Sequence, residues 1–121
     1  MSEIRILKQT VEEFIVDLRT NVFVDDDGDI MLMEFFFKKM DSKDLMEHMV
    51  INLLPHRNQI IDRKIDFFME NRDAIFAGLP EDKIEKFARM ITNGISKDNL
   101  DVIWIYFESM LDCVEKFRKI K

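Results

Sequence analysis

Apolar residues recur at three- and four-residue spacing along almost the whole chain, and very little interrupts them. In 121 residues there are only 3 Gly and 2 Pro. That pattern is the signature of amphipathic helices, and the scarcity of turn residues leaves no room for a many-stranded sheet. The length suits one hydrophobic core. The expectation is an all-α fold: a compact helical bundle of about six helices forming a single domain over residues 1–121.

The segments follow from the spacing. Ile4, Leu7, Val11, Phe14, Ile15 and Leu18 share one face of a first helix, with Ser2 as its N-cap, fading near Thr20–Asn21. The Asp-rich stretch around Gly28 marks a turn. Beyond it the chain could pair Val22–Val24 with Ile30–Leu32 as a hairpin, but Met, Leu, Glu and Lys over residues 31–40 favour a resumed helix. A helix over 42–54, capped by Asp41 or Ser42, ends before Pro55. Helices are expected over 57–70, after Asn71 as far as Gly78, from Pro80 in the first helical position to Asn93-Gly94, and over about 97–119 after a Ser96 cap.

Two apolar runs exceed what one helix face can hide. Residues 30–37 carry a single polar side chain, Glu34, and include Phe35, Phe36 and Phe37 in succession. Successive helical residues point about 100° apart, so three in a row sweep most of the circumference. The second run is Val102-Ile103-Trp104-Ile105-Tyr106-Phe107. A bundle this small can surround about one such helix, so at least one run is expected to meet a partner. The expected partner-binding residues are Phe35, Phe36, Phe37, Trp104 and Tyr106. The nine methionines, Met31, Met33, Met40, Met46 and Met49 among them, suit either an adaptable docking surface or a loosely specified core.

Charge narrows the partners. The net charge is −6; residues 1–54 hold 6 Lys/Arg against 12 Asp/Glu, whereas residues 55–121 hold 12 of each. No clustered basic face emerges, so no nucleic-acid partner is expected; Arg118, Lys119 and Lys121 read as cations at a helix C-terminus. The longest apolar run is six residues, too short to cross a bilayer, so no membrane association is expected. Met1-Ser2-Glu3-Ile4-Arg5 does not read as a signal peptide, and Ser2 stands where N-myristoylation requires glycine. One cysteine cannot form an internal disulfide. These points favour an intracellular, cytoplasmic protein.

The chemical motifs are few. With Phe23 as position 1 of an EF-hand-like loop, Asp25 and Asp27 fall at positions 3 and 5, Gly28 at 6 and Glu34 at 12. Asp25, Asp27, Asp29 and Glu34 are thus an alternative calcium site over residues 23–34, although Phe23 holds the anchoring position and no second loop of the kind follows. His48 and His56 lack metal-ligand spacing, and Cys113 lies beside the apolar stripe of the last helix. No phosphate-binding glycine motif or nucleophile elbow occurs. No cofactor and no enzymatic activity are expected.

Leu54-Pro55-His56, Phe67-Phe68, Asn71, Ile75-Phe76, Leu79-Pro80, Ile103-Trp104, Tyr106-Phe107 and Leu111, together with Phe14-Ile15-Val16-Asp17-Leu18 upstream, form a pattern spanning most of the chain. It resembles small helical proteins of unassigned function encoded by nucleocytoplasmic large DNA viruses. The resemblance rests on packing motifs and brings no catalytic residues. It implies a viral protein of the infected cell's cytoplasm or the virion, and the whole reading is of a non-enzymatic interaction or structural protein that binds itself or another protein.

Overall fold

The computed structural model describes the backbone of residues 2–120 and the side chains of residues 3–118. The fold is all-α. In chain order the helices are α1 (Ser2–Asp17), α2 (Asp27–Lys39), α3 (Ser42–Leu53), α4 (Arg57–Ile61), α5 (Asp66–Glu70), α6 (Arg72–Ile75), α7 (Glu81–Asn93) and α8 (Lys97–Ile120), and the described residues contain no strand. The hairpin alternative is therefore replaced by the helix. Ser2 begins α1, but its side chain lies outside the described residues, as do those of Lys119 and Lys121.

Helices α1 and α8 pack along each other at the centre; α2 and α3 lean on α1, α3 and α4 on α8, and α7 holds α5 and α6. Leu7, Val11, Phe14, Ile15 and Leu18 point inward from α1, as their spacing predicts. From α8 come Ile103, Trp104, Phe107, Met110, Leu111 and Val114. Phe68 lies 4.5 Å from Trp104 between ring centroids, and Phe107 meets both Phe14 (5.4 Å) and Phe67 (5.5 Å) edge-on. A second aromatic contact, Phe23 on Phe87 at 4.7 Å, ties the turn after α1 to α7.

Several boundaries follow local chemistry. α1 runs on through a π-helical turn, Leu18–Val22, closed by the Phe23 N–H donating to the Leu18 carbonyl at 2.7 Å. The wide turn delivers Phe23 into the core, where it is 1% exposed. Asp41 caps α3 by accepting from the Lys43 N–H at 2.8 Å, and Ser96 Oγ accepts from the Asn99 N–H at the start of α8. Pro80 stands one residue before α7 rather than in its first turn.

The expected continuous helix over 57–70 is interrupted. α4 stops at Ile61 and α5 begins at Asp66, with Arg63 in the left-handed region (φ 52°). The break redirects the chain from α8 towards α7 and lets the consecutive Phe67 and Phe68 both reach 0% exposure. Both rings lie within α5, about 100° apart around it, and both pack on Trp104 and Phe107 of α8. Arg63 secures the turn from its side chain, donating from Nε to Glu108 at 3.0 Å and lying 3.6 Å from Asp101 on α8.

Candidate interaction surface

Each of the two apolar runs is divided between core and surface. In α8, Ile103, Trp104 and Phe107 are buried, while Val102 and Ile105 are exposed. Trp104 is 2% exposed, so the expectation that it binds a partner is corrected: it lies inside the aromatic cluster because α8 is the hub of the bundle. Tyr106 is half-buried beside Phe14, and its hydroxyl donates to Asp17 at 3.2 Å. Burial, and secondly the Asp17 carboxylate, push the phenol above its ordinary value. It stabilises the α1–α8 contact more than it presents a surface.

In α2 the inward residues are Ile30, Met33 and Phe37, all buried. Phe37, at 3% exposure and against His48 at 5.9 Å, is likewise corrected from the expected docking set. Met31 and Leu32 are each 50% exposed, Phe35 58% and Phe36 38%. At 100° per residue, positions 28, 31, 32, 35, 36 and 39 fall within about 140° of arc, so the four apolar side chains form one outward face. Sequence reasoning named Phe35 and Phe36 for this role. It did not single out Leu32, and left Met31 between surface and core, because in an all-apolar stretch the inward and outward sets have the same spacing.

The surface is held in place by its neighbours. Gly78 (φ 93°) lies under Phe36, and a Cβ there would stand 2.6 Å from the Phe36 Cβ. Glycine is thus required both by the backbone angle and by the close approach of α2 to the turn before α7. Phe36 also meets Phe37 edge-on at 5.2 Å. Phe35 is free on its outer side except for Lys39, whose ammonium sits 4.3 Å from the ring centroid in a cation–π contact. A Cβ at Gly28 would meet nothing within 4 Å, so the face is flat at that end.

The acidic segment does not form an ion-wrapping loop. Val24–Asp26 is a 3₁₀ turn and the α-helix has begun by Asp27. Asp27 faces Arg19 at 3.7 Å, Glu34 faces the same guanidinium at 3.8 Å, and Asp29 faces Lys83 at 3.4 Å. Lys86 donates to Asp26 at 2.7 Å, a bond that raises the ammonium above its ordinary value. Asp25 is exposed. Three of the four carboxylates of the calcium reading are turned towards cations, the fourth, Asp25, faces solvent, and no three His, Cys, Asp or Glu among the described residues are grouped to hold a metal.

The other reactive groups are separated. His48 lies 3.4 Å from the Ala74 carbonyl and His56 Nδ1 lies 3.0 Å from Gln59. Neither hydrogen-bonds Cys113, which is buried. Burial first, then Asp112 and Glu3, push its thiol up, away from the range a nucleophile needs. Between α1, α2, α3, α6 and α8 lies a cavity of about 20 Å³ with an apolar lining that includes Met33, Met49 and Met110. That is room for about one water molecule. No described helix is long and apolar enough to cross a membrane. No family model, curated protein or solved structure matches the chain.

Proposed function

We propose that this is a non-enzymatic interaction protein that docks through the outer face of α2. One observation carries the reading: Met31, Leu32, Phe35 and Phe36 lie contiguous and exposed on one helix, with Phe36 seated on Gly78. Each large side chain left in water forgoes about 1.5–3 kcal/mol of burial, and contiguous apolar patches on folded proteins mark contact sites. The raised Cys113 thiol supports a role without covalent chemistry. The resemblance to small helical proteins of large DNA viruses supports placing this docking in viral assembly, with the protein as an assembly or virion component.

A photo-crosslinking residue in place of Phe35 tests the reading, with the same residue in place of Ile51 on α3, itself 69% exposed, as the control. Position 35 is expected to yield a discrete adduct and position 51 none. Equal yields from both positions would remove the α2 face as the docking surface.

A further inference from the structure

We infer that the occupant of the α2 face is α2 of a second copy, lying antiparallel across a two-fold axis. The inference rests on the docking reading and names its partner. An isologous contact requires a patch that maps onto itself. The face does so about its midpoint between Met33 and Glu34: Met31 meets Phe36, Leu32 meets Phe35, and Gly28, open to solvent, meets the stem of Lys39.

Charge chooses the direction. Asp27 and Lys38 lie on the same edge of the face, about 20° apart in helical projection. Antiparallel pairing in this register brings Lys38 of one copy to within about 3 Å, measured along the axis, of Asp27 of the other, twice per dimer. In a parallel two-fold pair the same edges fall on opposite sides of the contact, so Asp27 and Lys38 would not meet and neither edge pair would form. Both groups are exposed; Asp27 has only the loose Arg19 contact at 3.7 Å, and Lys38 has no ion-pair partner among the described residues. The helix dipoles also oppose favourably in the antiparallel arrangement. A contact made by one helix from each chain falls at the small end of specific interfaces, so the dimer is weak and reversible.

Sedimentation velocity of the full chain from about 1 µM to about 1 mM tests this. Wild type is expected to shift from monomer to dimer across the range. Phe35→Glu, Asp27→Lys and Lys38→Glu are each expected to weaken association at least about tenfold with an unchanged far-ultraviolet helix spectrum. Equimolar Asp27→Lys and Lys38→Glu, mixed, are expected to dimerise again, because both edge pairs become attractive in the mixed dimer. A wild type that stays monomeric throughout overturns the inference, and so does a mixture no more associated than its components. If wild type is monomeric while position 35 crosslinks a different chain, the second copy is excluded and the docking reading stands. If position 35 also crosslinks nothing, both fall.

Discussion

Three consecutive phenylalanines divide their work by angle alone. Phe37 fills the core, Phe36 seats on Gly78, and Phe35 faces water under the Lys39 ammonium. Phe37→Ala is expected to cost about 3–5 kcal/mol in urea unfolding, whereas a polar residue at position 35 is expected to change stability by less than about 0.5 kcal/mol. Gly78→Ala is expected to cost about 1–3 kcal/mol, since the left-handed backbone and the Phe36 contact both oppose a Cβ. Cys113 gives a pH signature. Its folded thiol titrates above the free value, so its contribution is fully present below about pH 8.5 and is lost as pH rises from there through the folded value. The urea midpoint is expected to fall between about pH 7.5 and 9.5, and to fall less in Cys113→Ala. Tyr106 adds a loss of the same sign at higher pH.

Among the elements, caps and breaks show where sequence reasoning reaches. Asp41 and Ser96 were identifiable because a cap is a local event between a side chain and an amide two or three residues on. Asp41→Ala is expected to lower stability by about 1 kcal/mol, read as a reduced denaturant midpoint with an unchanged slope. The break at Arg63 was not legible, because residues 57–70 satisfy helical spacing throughout. What accompanies it is distant in sequence: Glu108 and Asp101 on α8 pair with the exposed guanidinium, and the redirected chain packs Phe67 and Phe68 on Trp104 and Phe107. The acidic stretch leading into α2 offered its calcium alternative for the same reason. Read locally, Asp25, Asp27, Asp29 and Glu34 suggest a cation; in the fold, Arg19 and α7 provide the positive charge.

Across the whole molecule, the unequal charge of the two halves resolves into contacts between them. Lys83 and Lys86 meet Asp29 and Asp26. The α1–α8 pair is the structural axis: α2 and α3 lean on it directly, and α7 packs on α5, whose Phe67 and Phe68 reach Phe107 and Trp104 of α8. Hydrogen–deuterium exchange is expected to be slowest in the middle of α1 and α8 and markedly faster in α4, α5 and α6, which are five residues or fewer each. Fast exchange in mid-α8 would remove it from the centre of the fold. The sequence alone determined the helical class, the inward stripe of α1, the Ser96 cap, and the excess of apolar surface over what one small bundle encloses, because these depend on spacing and on neighbours within a few residues. Only the tertiary structure decided which side chains of two equally greasy segments are enclosed. That division depends on where each helix has neighbours: α8, packed on by α1, α3 and α4, buries Ile103, Trp104 and Phe107 and leaves Val102 and Ile105 outside, whereas α2, lying at the edge, leaves Met31, Leu32, Phe35 and Phe36 in water.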